Sequence, residues 1–196
     1  MRRLAVVSVV AAAAVVLSAC GGDHGAAHSG GSAAATIPQG ADFGKGDVVF
    51  AQSMIPHHEQ AIEMAEIALD PAMGAGPEVM ALATQIKGAQ GPEIELLTGW
   101  LTSWGQPMAM DMSDGHDMSA MEGMMSADEM KALGEATGAE FDRLWLEMMI
   151  AHHEGAIAMA TDVKADSANA DVMTLADQII AAQQTEITEM KALLAG

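Results

Sequence analysis

Two adjacent histidine pairs, His57-His58 and His152-His153, are the residues of this 196-residue chain best suited to chemistry. Each pair follows a methionine at the spacing Met-x-x-His-His, with Met54 before the first and Met149 before the second. A further methionine, Met64 or Met159, lies seven residues beyond each first histidine, about 10 Å along a helix at 1.5 Å per residue. Imidazole and thioether donors without a thiolate suit copper, and especially Cu(I). Met64 and Met159 are kept as candidate donors, although filling a core would account for them equally well.

The pairs belong to one stretch of sequence written twice. Asp47-Val-Val-Phe50-Ala-Gln-Ser-Met54-Ile-Pro56-His57-His58-Glu59-Gln-Ala61-Ile62-Glu-Met64-Ala65 returns as Asp142-Arg-Leu-Trp145-Leu-Glu-Met-Met149-Ile-Ala151-His152-His153-Glu154-Gly-Ala156-Ile157-Ala-Met159-Ala160, every match displaced by 95 positions without a gap. Such a match is an internal duplication. Counted from Asp47, matched residues at 3, 7, 10, 11, 14, 17 and 18 have the spacing of a helix packed along one seam. His57 and His152 therefore sit at core positions, and His58 and His153 flank them near the line of the preceding methionine.

Buried imidazoles need partners. Hydrogen bonding to Glu93 and Glu186 on facing helices is the structural account; two adjacent pairs, each with a methionine upstream, favour metal over it. Glu59 and Glu154 follow the histidines directly but point about 100° away from His58 and His153. With Glu93 and Glu186 they are candidates to support the histidines from behind. A di-iron centre in a helical bundle would use Glu-x-x-His on two helices, and no Glu-x-x-His occurs in the chain. Iron thus ranks below copper, with Glu93 and Glu186 keeping it open. There is no Cys-x-x-Cys-His for haem attachment, no Gly-x-Ser-x-Gly elbow, no P-loop and no dinucleotide fingerprint.

Four long helices must position these residues. The first should start near Asp47 as its cap and end at about Leu69, before Asp70-Pro71; Pro56 is expected to kink it beside His57. The second should start after Gly76-Pro77 and reach about Trp104. It too is repeated: Leu82-Ala83-x-Gln85-Ile86-x-x-Ala89-Gln90-x-x-Glu93-Ile94 returns as Leu175-Ala176-x-Gln178-Ile179-x-x-Ala182-Gln183-x-x-Glu186-Ile187, now displaced by 93 positions. A whole helical hairpin was duplicated. The expected fold is all-α, a four-helix bundle of two duplicated hairpins over 43–196: hairpin one 43–104, a linker 105–125, then a short helix and hairpin two 126–196. The relative direction of the two histidine helices is left open.

Seven methionines, Met108, Met110, Met112, Met118, Met121, Met124 and Met125, fall in the linker with His116, without one helical spacing and separated by Gly, Ser and Asp. They are auxiliary metal candidates, in a segment expected to be disordered without metal and too rich in Gly and Ser to pack. Ser126 to about Ala136 reads as a capped short helix.

Residues 1–19 read as a signal peptide: Met1-Arg2-Arg3, an apolar run, and small residues before the only cysteine. Leu17-Ser18-Ala19-Cys20 resembles a bacterial lipobox, which makes Cys20 the lipidation site and the membrane a partner through that anchor. Residues 20–42, rich in Gly, Ala and Ser, read as a flexible tether whose His24 and His28 are incidental. Removing residues 1–19 removes two arginines and takes the formal charge from −19 to −21. A chain this acidic is not a nucleic-acid binder. Metal ions are its expected partners; no protein partner can be named.

The motif Met-Ile-x-His-His-Glu-x-Ala-Ile-x-Met-Ala in two copies, with Gly-Met-Met-Ser before the second and Gly-Ala-Glu-Phe-Asp leading into it, resembles the bacterial domain-of-unknown-function 305 family over about residues 43–195. The resemblance implies an exported, ferritin-like helical bundle, with a link to copper binding or tolerance in some members. The residues carried over are Met54, His57, His58, Met149, His152 and His153. The expected function is a non-enzymatic exported lipoprotein that binds copper for buffering or tolerance. Two rivals stay open: a ferritin-like redox metalloenzyme using iron or copper, and a metal-free structural or partner-binding module.

Overall fold

Apolar residues at helical spacing leave each long helix one face to bury, and four such faces close on one another in the computed structural model, which describes residues 37–110 and 121–196. The helices are α1 (Lys45–Leu69), α2 (Pro77–Ser103), the short α3 (Ala127–Glu135), α4 (Gly138–Asp166) and α5 (Ala170–Leu194), with a 3₁₀ turn at Pro71–Met73. No strand occurs among the described residues. None of the described helices is long and apolar enough to cross a membrane. Residues 1–36, which include the lipobox-like cysteine Cys20, His24 and His28, lie outside the described part.

Local signals set the ends. Asp70 accepts from the Ala72 amide and Pro71 opens the 3₁₀ turn, so α1 stops where expected. Gly76 and Pro77 begin α2. Ser126 and Glu129 form the reciprocal capping box that starts α3. Asp47 departs from expectation: α1 begins two residues earlier, with Gly44 as its cap, and the Asp47 carboxylate accepts from the Gly44 amide at 2.7 Å. A carboxylate at the third helical position can satisfy the first amide as well as a cap residue could. α1 continues unbroken through Pro56, and α2 through Pro92.

The direction left open by the sequence follows from three contacts. The start of α1 at Gly46 meets Asp166 at the end of α4, His57 meets His152, and the Trp145 indole donates to the Met64 carbonyl at 3.0 Å. α1 and α4 are therefore antiparallel, and each also packs against the other helix of its own hairpin. The duplicated halves face each other across an approximate twofold axis at the histidines. Two apolar clusters result. One holds Met64, Trp145, Met149, Ile86 and Met190; the other holds Met54, Phe50, Leu97, Leu101 and Ile179. The end of the segment read as tether is also fixed: the Asn169 side chain donates to the Asp42 carbonyl, and Phe43 stacks on Trp104 with ring centroids 4.7 Å apart.

Candidate metal centre

Between the two apolar clusters lies a polar layer drawn equally from both halves. His57, His58, His152 and His153 are all fully buried, and Gln90, Gln183 and Glu186 nearly so. His58 Nε2 bonds to Glu93 Oε2 at 2.6 Å, and its counterpart His153 Nε2 bonds to Glu186 Oε2 at 2.7 Å. The two acids are not equally sheltered: the Glu93 side chain is 21% exposed, the Glu186 side chain 6%. Glu186 also accepts from Gln85 at 3.0 Å. A carboxylate can only accept, so each Nε2 carries a proton. In a neutral ring that leaves Nδ1 as a bare lone pair, and neither Nδ1 has a hydrogen-bond partner. A carboxylate fixing the tautomer and aim of an imidazole is the support that metal-binding histidines use.

His57 and His152 meet across the α1–α4 interface, with ring centroids 3.7 Å apart and planes inclined by 38°. Neither nitrogen of either ring is hydrogen-bonded. Burial, and after it the charge His58 could carry, pushes His57 down to about 3. His152 is held well below the ordinary imidazole value by burial first, then by His57, His153 and His58. The central pair is neutral at ordinary pH, and six ring nitrogens in the layer lack a partner. Such unpaired groups are costly in an apolar interior.

The methionines of the two motifs do not gather on one side of this layer. Met54 is fully buried in one apolar cluster and Met149 in the other, because the helices that carry them run in opposite directions. Met64 joins the Met149 side; Met159, half-buried, packs on the Met54 side. Each face of the layer thus has one methionine from each copy. Glu59 and Glu154 lie outside it: both are exposed, and Glu154 pairs with Lys191 at 3.0 Å. One residue past His58 or His153 the helix has turned about 100°, too far for these carboxylates to support the rings. Sequence reasoning treated Gln90 and Gln183 only as repeat markers. Both are buried with an unpaired side-chain oxygen, and the signal was the repeated Gln-x-x-Glu spacing, which puts them on the face of Glu93 and Glu186.

The linker divides. Met108 is 44% exposed and Met110 meets the Ser53 hydroxyl at 3.7 Å, while Gln52 donates to the Pro107 and Ala109 carbonyls. Met112, His116 and Met118 lie outside the described residues. Met121, Met124 and Met125 are half-buried, and here the expected unpacked segment needs correcting. Gln60 donates to the Met125 carbonyl at 2.8 Å and accepts from its amide at 2.7 Å. The Glu122-Gly123 backbone lies against α4 where Gly155 has no side chain. Glycine lets two backbones approach, so the glycine that argued against packing is what permits it here.

Among the described residues no three His, Cys, Asp or Glu side chains converge on one point. Metals that demand several hard or borderline ligands are poorly served by this arrangement. A soft ion content with few imidazole and thioether donors suits it better.

A family model described as domain of unknown function (DUF305) matches residues 47–194. A DUF305 fragment from Deinococcus radiodurans is 32% identical, with TM-score 0.69, over 78% of this chain and 97% of that one. A DUF305 protein from Streptomyces coelicolor, described as a candidate secreted protein, is 31% identical, with TM-score 0.68, over 76% of this chain and 92% of that one. CopM in its Cu(II)-bound form is 35% identical, with TM-score 0.63, over 76% of this chain and 95% of that one; CopM has also been solved in Cu(I)- and Ag-bound forms. No curated protein matches the chain.

Proposed function

The chain belongs to the family described as domain of unknown function DUF305, and from that premise we propose that it is an exported lipoprotein that binds copper, as Cu(I), to buffer it outside the cytoplasm. The observation that carries this reading is the central layer: four fully buried histidines with six ring nitrogens that have no partner. Hydrogen bonding to Glu93 and Glu186 accounts for one nitrogen each of His58 and His153 and for nothing on His57 or His152. A purely structural layer would be expected to satisfy them.

Each group has a part in holding the ion. The neutral rings of His57 and His152 offer lone pairs without a proton first having to leave. Glu93 and Glu186 orient His58 and His153 so that Nδ1 faces away from the carboxylate. The buried methionines on both sides shield the layer from water and offer thioether sulfur of the softness that Cu(I) prefers. Solved CopM structures with copper and silver support the same cargo. Export rests on the lipobox-like Leu17-Ser18-Ala19-Cys20 and on the description of the Streptomyces relative as a candidate secreted protein. The exposed Met108 and the remaining linker methionines would collect the ion at lower affinity.

Competition of the mature protein against a Cu(I) chelator tests the reading. Wild type should hold Cu(I) tightly, and His57→Leu/His152→Leu should lose at least tenfold in affinity while keeping its helical circular dichroism. Undiminished affinity in that folded variant would overturn the assignment.

A further inference from the structure

The duplicated halves differ at one matched position that faces the linker. Gln60 in α1 corresponds to Gly155 in α4. Both residues face the same piece of linker. Gln60 holds both backbone groups of Met125. At Gly155, an added Cβ would come within 2.0 Å of the Glu122 carbonyl oxygen and 2.8 Å of the Gly123 Cα. Gly123 in turn has φ +83°, and a Cβ there would meet the Ala151 oxygen at 2.7 Å and the His152 oxygen at 3.0 Å. One copy carries a side chain that grips residues 121–125, and the other a glycine that seats them.

What lies beneath this segment is the central pair. The Glu122 backbone is close enough to the His57 ring to favour its cation weakly, without giving either ring nitrogen a hydrogen bond of good geometry. The Gly123 backbone lies on the His152 carbonyl. Segment 121–125 therefore runs over the α1–α4 groove at the level where His57 meets His152, and both rings have zero exposure. Its attachment is slight: of its side chains, Met125 packs against the core but remains half-buried, and two backbone hydrogen bonds to Gln60 hold it on the other side.

We propose that residues 121–125 are a latch over the His57–His152 pair, and that an ion reaches the pair when the latch lifts from Gln60 and Gly155. The copper route rests on the function proposed above; the latch itself does not. Carbethoxylation of histidines by diethyl pyrocarbonate, followed by peptide mass spectrometry, reads the latch in the metal-free mature protein. Gln60→Ala, which removes two hydrogen bonds, and Gly155→Ala, which displaces Glu122, should each raise the modification rate at His57 and His152 at least fivefold, with helical circular dichroism unchanged. In stopped flow the same variants should take up Cu(I) faster while equilibrium affinity changes less than the rate. Equal modification rates in wild type and both folded variants would overturn the latch. So would a rise accompanied by loss of helicity in both, because the segment would then be a structural brace. Faster modification without Cu(I) binding in any form would leave the latch standing and refute the copper reading alone.

Discussion

An imidazole buried without partners weakens a fold, and the central layer contains two such rings in contact. Leaving a buried polar group unsatisfied costs about 1–3 kcal/mol. His57→Leu/His152→Leu should therefore raise the urea midpoint of the metal-free protein, and under the proposed function it should also abolish the further stabilisation expected of wild type with copper. A lower midpoint would show that the rings are satisfied in a way the geometry does not reveal. The acids should differ in the opposite sense. Glu186→Ala strands both His153 and Gln85, whereas Glu93 is partly exposed and its partner can recruit water. Glu186→Ala should cost about 1–2 kcal/mol more than Glu93→Ala in parallel denaturation curves. Acid acts on the same rings. His57 is near 6.5 when unfolded and is pushed to about 3 when folded, so between these values the unfolded chain binds a proton that the native one does not. Stability in the metal-free protein is full above 6.5 and falls as pH drops through that window, with His152 adding in the same direction. Urea unfolding at pH 7 and pH 5 should show a loss of about 1–2 kcal/mol from His57, to which His152 adds in the same direction; a pH-independent midpoint would contradict neutral burial.

Periodicity made the helices legible, and the ±95 match made the histidine faces legible, because burial repeats every turn and a duplication repeats it twice. Asp70-Pro71, Gly76-Pro77 and Ser126-x-x-Glu129 located three helix ends correctly, since each carries its hydrogen bonding within a few residues. Asp47 was misread as a cap because a carboxylate can serve the first amide from either of two nearby positions. The antiparallel meeting of α1 and α4 was not readable: the long linker permits either direction, and only packing chooses. That choice also separated Met54 from Met149, which the sequence had grouped as equivalent donors. α2 offers a test of helix propensity free of the centre. Gly88 is exposed in mid-helix with nothing within 4 Å of an added Cβ, so Gly88→Ala should stabilise by about 0.5–1 kcal/mol in thermal or urea unfolding. A loss would point to a partner on that face.

At the scale of the whole molecule, the proposed function asks two things of the chain: an anchor that would keep it at a membrane surface, and a bundle whose apolar clusters isolate one polar layer. If the proposed anchor holds, Cys20→Ala should release the protein from the membrane fraction without altering its metal binding, since the described contacts of the four histidines come from residues of the bundle. The central claim, that the buried His57–His152 pair takes the ion, is tested most directly by long-range proton–nitrogen spectra of the imidazoles during titration with Cu(I), which is diamagnetic. One equivalent should move ring-nitrogen resonances of His57 and His152, with smaller changes at His58 and His153. Four unmoved imidazoles, with shifts confined to linker methionine methyl groups, would place the ion elsewhere and contradict the account.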